Sequence, residues 1–318
     1  GAGRAGPPVN GPGSGARRMR ARAFRAAVLL AAIAAIPAAA ARAGGADGEA
    51  PCPSPWEIRY SEGSPAQGEP VLVEFVRGPG ADNVAVAWKG RRFPMKAAAE
   101  GVFVGVIGVD LMDPPGKAPV AFFVSDNASV CRVDDVLEVR ERQFPVQRLS
   151  LPREMAEFDP PTVARIREEA GRLNETLSAA PGAPAWEFPL VPPVADFRPS
   201  GFGSRRIING EPRSPHAGVD ISAPEGTAVV SIADGSVAFA GEQFLGGNSV
   251  VVDHGGRLFS IYYHLREFSV AGGQRVSRGE RIGSVGASGR AAGPHLHFGV
   301  RAAGGRVDPE LLPGLAAH

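Results

Sequence analysis

The chain has 318 residues, enough for about two domains, and 44% of them are hydrophobic, so it can bury a substantial core. Its formal charge is only +1, so nothing in the charge balance points to nucleic acid or an anionic membrane surface as a partner. Glycine (42 residues) and proline (30) are abundant, so a mostly β protein of short strands and frequent turns is expected.

Residues 1–18 are rich in Gly, Pro, Ala and Arg, lack apolar periodicity, and read as an upstream segment. Met19-Arg20-Ala21-Arg22-Ala23-Phe24-Arg25 is a basic stretch, followed by an apolar run from Ala26 to Ala40 and the pattern Ala41-Arg42-Ala43. Residues 19–43 thus have the three parts of a secretory signal peptide. The apolar run is short for a transmembrane span, although an uncleaved anchor is the alternative. An exported protein of the periplasm or cell envelope is expected, one that meets the membrane only transiently, through its signal peptide. Cysteine usage fits export. Only Cys52 and Cys131 exist, and in an oxidising compartment they are expected to form one disulfide, with two unpaired thiols as the alternative.

Residues 44–55 form a polar, Pro-rich linker. From residue 56 to 140, short apolar runs alternate with turn signals: Val71–Val76, Val84–Trp88, Phe93–Met95, Val102–Ile107, Val120–Val124 and Val136–Val139. Strands at this spacing suggest an immunoglobulin-like β-sandwich. A connector over residues 141–185 contains one helix. Asp159 is placed to cap it, Pro160 suits its first turn, and Val163, Ile166, Ala170, Leu173 and Leu177 recur at three- and four-residue spacing. Arg165, Arg167, Glu168, Glu169, Arg172 and Glu175 are assigned to the remaining surface, and the apolar stripe to packing on a neighbour. Residues 186–318 return to short strands separated by the pairs Gly246-Gly247, Gly255-Gly256 and Gly272-Gly273, and a compact antiparallel β-domain is expected there.

Histidine is scarce, six in the whole chain. Two of them, His295 and His297 in Gly293-Pro294-His295-Leu296-His297-Phe298, sit two apart in a segment that reads as a strand, so they project to one face. His216 stands four residues before Asp220, and His264 follows Tyr262-Tyr263. This set exceeds what one zinc ion requires, since catalytic zinc sites commonly use three protein ligands and leave one position to water. A spare imidazole is then available for proton transfer. His254 precedes a hairpin turn and reads as structural. Tyr262 and Tyr263 face opposite sides of a strand, so at least one of them packs in the core. Arg205 and Arg206 point either to a substrate groove or to solvent.

A His-x-x-x-Asp pair alone arises often by chance. The ordered combination of His216-Ala217-Gly218-Val219-Asp220, Tyr262-Tyr263-His264-Leu265 and Gly293-Pro294-His295-Leu296-His297-Phe298 is far more specific. With it the sequence resembles the lysostaphin/LytM-type zinc endopeptidases of bacterial cell walls. The resemblance covers roughly residues 197–312 and includes Ser200-Gly201-Phe202-Gly203-Ser204-Arg205-Arg206 and Gly286-Ala287-Ser288-Gly289. It implies a LytM-type antiparallel β-domain in which His216, Asp220 and His297 bind Zn2+ while His264 and His295 form an unligated catalytic pair. It leaves open which of the two is the base. It also implies peptidoglycan peptides as substrate, with D-Ala–meso-diaminopimelate cross-links the favoured bond and glycine bridges the alternative; a monomer is expected. Two other functions compete: a non-catalytic activator of cell-wall amidases, which would have lost metal ligands, and a wall-binding module with a structural zinc, which would not need spare histidines. All five expected polar residues are present.

Overall fold

In a computed structural model the chain is described at residue 1 and over residues 49–53, 55–77, 81–125, 129–150 and 157–315. The expected signal peptide and upstream segment lie outside the described residues, as does His318. The protein is mainly β, as its composition suggests.

The N-terminal strands are β1 (Ala50–Pro51), β2 (Trp56–Tyr60), β3 (Pro70–Arg77), β4 (Asn83–Trp88), β5 (Arg91–Pro94), β6 (Lys96–Ala99), β7 (Val102–Gly108), β8 (Gly116–Ser125) and β9 (Val130–Val139). They form a five-stranded sheet in the order β1-β9-β8-β4-β5 and a four-stranded sheet in the order β2-β3-β7-β6. Val71, Val73 and Phe75 of β3 pack in one apolar cluster with Val84, Val86 and Phe122 of the other sheet, so the two sheets form a sandwich. Cys52 and Cys131 are joined by a disulfide, the pairing expected from the sequence, which ties the N-terminal end of this region to β9.

The other face of the four-stranded sheet is also covered. Leu72, Val104 and Val106 belong to the same apolar cluster as Val300, Ala302 and Val307 of the C-terminal region. Burial on both faces explains why β3 and β7 read as continuous apolar runs rather than as alternating ones. At this junction Gly108 admits the close approach: a Cβ there would lie 2.5 Å from the Ala302 carbonyl oxygen. Arg306 grips Asp110 through two side-chain bonds of 2.8 and 2.6 Å, and Arg142 pairs with Asp308 at 2.8 Å.

The connector contains β10 (Val146–Leu149) and α1 (Pro160–Ser178). Asp159 caps α1 by accepting a bond from Thr162 N at 2.9 Å. Leu173 and Leu177 pack against Val251, Phe259 and Ile261, the neighbour that the apolar stripe demands. One expectation fails here. Glu169 was assigned to the solvent face, yet it is buried and receives Arg165 Nε and Phe244 N, each at 2.8 Å.

The C-terminal region comprises β11 (Pro199–Ser200), β12 (Arg205–Ile208), β13 (Glu211–Pro212), β14 (Val219–Ile221), β15 (Ala228–Val230), β16 (Gly235–Gln243), β17 (Gly247–Asp253), β18 (Leu258–Phe268), β19 (Arg275–Val276), β20 (Arg281–Val285), β21 (Leu296–Ala302) and β22 (Gly305–Val307), followed by a 3-10 turn, Pro309–Gly314. The main sheet runs β11-β14-β21-β18-β17-β16-β19, antiparallel throughout. The hairpin of β12 and β13 lies apart from it and pairs, parallel, with β10 of the connector.

Candidate metal centre and active site

Strand pairing brings the distant motifs together. β14 lies antiparallel to β21 with Asp220 opposite His297, and β21 lies antiparallel to β18 with His297 opposite Tyr263. His216 is held just before β14 by two backbone bonds: His216 N donates to Ser204 O, and Gly203 N to His216 O. His295 sits at the entry to β21, bridged to Gly286.

His264 reaches the site by a backbone irregularity. Tyr262 and Leu265 are both fully buried in the core, and strict alternation would place His264 on the same side as Tyr262. The β17–β18 ladder shifts register here, pairing Val250 with Tyr262 but Asn248 with Leu265. His264 occupies the bulge with φ +62, and its N donates to Gly246 O at 2.7 Å. A bulge of this kind re-aims a side chain. The His264 ring lies 4.7 Å from that of His295 and 6.2 Å from that of His297.

His216 Nε2, His297 Nδ1 and Asp220 Oδ1 form a nearly equilateral triangle with sides of 3.0, 3.0 and 3.2 Å. His295 Nε2 lies 3.8 Å from the same carboxylate oxygen. Three imidazoles are oriented by backbone carbonyls: His216 Nδ1 donates to Gly201 O at 2.9 Å, His264 Nδ1 to Ser288 O at 2.9 Å, and His295 Nδ1 to Gly293 O at 2.8 Å. Each therefore keeps Nε2 as its lone-pair nitrogen. Gly201 lies in the left-handed region at φ +89, and a Cβ there would come within 3.2 Å of His216 Nδ1, so glycine permits this carbonyl to reach the ring.

The electrostatics suit a cation. Burial resists ionisation of Asp220, but the adjoining His216 and His297 rings hold its carboxyl far below the usual range. Burial pushes His297 down to about 4, and His264 is also lowered, mainly by burial. At neutral pH His264 and His297 are thus uncharged beside an ionised carboxylate. An electron-rich triangle of ~3 Å sides is the footprint of three ligands, each roughly 2 Å from one tetrahedral ion. Among the described residues, His216, Asp220 and His297 are the group able to hold a metal. The set fits zinc.

The remaining residues separate cleanly. His254 is fully buried, with Nδ1 on Asp234 O at 2.9 Å and Nε2 at 2.7 Å from Ser260 Oγ, so it is structural. Tyr262 is core, its hydroxyl accepting bonds from Ile232 N and Ser260 Oγ. Tyr263 instead stacks on His297, with ring centroids 5.5 Å apart. Arg206, left undecided by the sequence, extends from β12 to within 3.8 Å of Asp220 Oδ2. The orienting carbonyls of Gly201, Ser288 and Gly293 escaped the motif reading. Their signal was the glycine placed in or beside each turn.

Comparison with known proteins agrees with this geometry. Residues 214–309 match the model of Peptidase family M23. This stretch is an M23 peptidase domain. Peptidases of the M23 family are zinc metalloproteases, in accord with the donor set. The M23 domain is 43% identical over 100 residues to the peptidoglycan DD-endopeptidase ShyA of Vibrio cholerae, a match that covers 31% of this chain and 23% of that protein. It is 45% identical over 94 residues to the DD-carboxypeptidase/endopeptidase Mpg of Neisseria meningitidis serogroup B, covering 30% of this chain and 22% of Mpg. The match thus spans less than a quarter of either relative. The crystal structure of a candidate peptidase M23 from Pseudomonas aeruginosa superposes with a TM-score of 0.60 at 28% identity, covering 79% of this chain and 96% of that one. That likeness extends well beyond the M23 domain into the N-terminal strands.

Proposed function

We propose that the protein is an exported zinc metalloendopeptidase that hydrolyses peptide cross-links of bacterial peptidoglycan, the D-Ala–meso-diaminopimelate bond first among them. The observation that carries this reading is the convergence of His216, Asp220 and His297 on one point, with His264 and His295 beside it and outside the ligand triangle. The similarity to ShyA, a peptidoglycan DD-endopeptidase, and to Mpg, a DD-carboxypeptidase/endopeptidase, supports the substrate class. In the same reading the enzyme acts in the periplasm or cell envelope as a monomer, and its sandwich is immunoglobulin-like.

His216, His297 and Asp220 would hold the ion, and two imidazoles with a single carboxylate would leave it with net positive charge. The ion would supply Lewis acidity there, enough to lower the pKa of a water towards neutrality and to polarise the scissile carbonyl. His264 and His295 then divide proton transfer and charge stabilisation. Each fixes its Nδ1 on a carbonyl and retains Nε2 for the substrate side. The lowered basicity of His264 keeps its ring able to accept a proton at neutral pH. Tyr263 supports the His297 ring from its stacked face. A non-catalytic amidase activator or wall-binding module would have no use for this full set.

The test is the release of new amino groups from purified sacculi by the zinc-loaded full chain. We expect release by the wild type and none by His297→Ala, with zinc content falling in parallel. Full zinc occupancy in His297→Ala would refute the ligand assignment, and inert wild-type protein containing one zinc would refute the activity.

A further inference from the structure

Asp220 shows its two oxygens to different partners. Oδ1 faces His216, His297 and His295, whereas Oδ2 faces Arg206 Nη2 at 3.8 Å. Arg206 therefore flanks the metal triangle on the Oδ2 side, away from the Oδ1 side that His295 approaches. A separation of 3.8 Å is too long for a hydrogen bond, so none of the five guanidinium donors is spent on Asp220. Among the described residues no other group accepts a hydrogen bond from this side chain, which is only 36% exposed. Its position is nevertheless built. Arg206 lies on β12, which is clamped between β13 and the connector strand β10, and Arg213 N donates to its carbonyl at 2.8 Å.

We infer that Arg206 docks a carboxylate carried on a residue flanking the scissile bond, so that the site selects acidic peptide cross-links over neutral ones. The inference rests on the endopeptidase reading above and adds a substrate requirement to it. Once Asp220 commits its charge to a dication, it offers Arg206 little compensation. A half-buried guanidinium with open donors beside a cationic centre then favours an anion. A carboxylate matches its fork through two parallel N–H···O bonds. Asparagine or glycine bridges would leave those donors unfilled.

The experiment uses the full chain in the zinc-loaded His264→Ala form, so that peptide is bound without being turned over. Two probes are titrated by calorimetry: a soluble cross-linked muropeptide dimer with a free carboxylate beside the cross-link, and the same dimer with that carboxylate amidated. We expect the carboxylate form to bind roughly tenfold more tightly. Adding Arg206→Ala should abolish that preference and leave affinity for the amidated form unchanged, and Arg206→Lys should restore part of it. Zinc content should not change, because Arg206 is not a ligand. Equal affinities for the two dimers in the Arg206 protein, or equal weakening of both by Arg206→Ala, would overturn the proposal, as would no measurable binding of either. Turnover of the carboxylate dimer by the wild type tests the endopeptidase reading separately, so the two failures can be told apart.

Discussion

The carbonyl oxygen of Ser288 lies 2.9 Å from His264 Nδ1 and fixes the one imidazole that reaches the centre from a left-handed bulge. His295 is fixed in the same manner by Gly293. Neither ring belongs to the ligand triangle, so His264→Ala and His295→Ala should each retain zinc and lose about 10²–10⁴-fold in turnover. Metal analysis and the rate of amine release check this together. Loss of zinc from either variant would mean that a ligand and a catalytic residue have been exchanged.

Glu169 is the buried joint between α1 and the strand end at Phe244. Glu169→Ala should cost about 1–3 kcal/mol, because the Phe244 N–H loses its acceptor in a part-buried setting. Glu168, exposed and paired with Arg172, is the control. Its replacement by Ala should change stability by less than about 0.5 kcal/mol. Urea unfolding of the two variants decides the matter, and equal effects would refute the joint.

Stability should depend on pH through His254. Burial lowers its pKa from 6.5 to about 4, opposed by its bond to the Asp234 carbonyl and by the Asp234 charge. The folded state then binds fewer protons than the unfolded state between these values. Stability is full above pH 6.5 and falls as the pH drops towards 4, by on the order of 3 kcal/mol in total. Unfolding free energies measured across this range should slope less in His254→Asn. An unchanged slope would remove His254 as the cause.

The Cys52–Cys131 bridge spans a sequence separation of 79 residues and fastens β1 beside β9. Cys52→Ser should lower stability by about 2–5 kcal/mol, and a reductant should have the same effect on the wild type and none on the variant. Denaturant midpoints with and without reductant give the answer.

What the sequence revealed follows from the range of the forces involved. α1 was legible because its start is a local event, Asp159 before two prolines, and its stripe has helical period. Glu169 was not, since periodicity reports which residues are apolar and is silent about a carboxylate drawn inward by a partner 75 residues away. The five candidate residues could be named from their spacing and order. The aim of His264 could not, because period-2 alternation assigns it to the core and only the register shift in the β17–β18 ladder turns it outward. β10 left no signal: its four residues are all exposed, so no buried face marks them as the strand that pairs with β12.

The four-stranded sheet, apolar on both faces, makes the sandwich and the M23 domain poor candidates for independent modules. Leu72, Val104 and Val106 would meet water if the C-terminal half were removed, and Val300, Ala302 and Val307 if the N-terminal half were. The two halves should therefore melt in a single cooperative transition. A chimera that grafts this M23 domain onto a foreign partner would have to import the facing residues of β3 and β7 along with it.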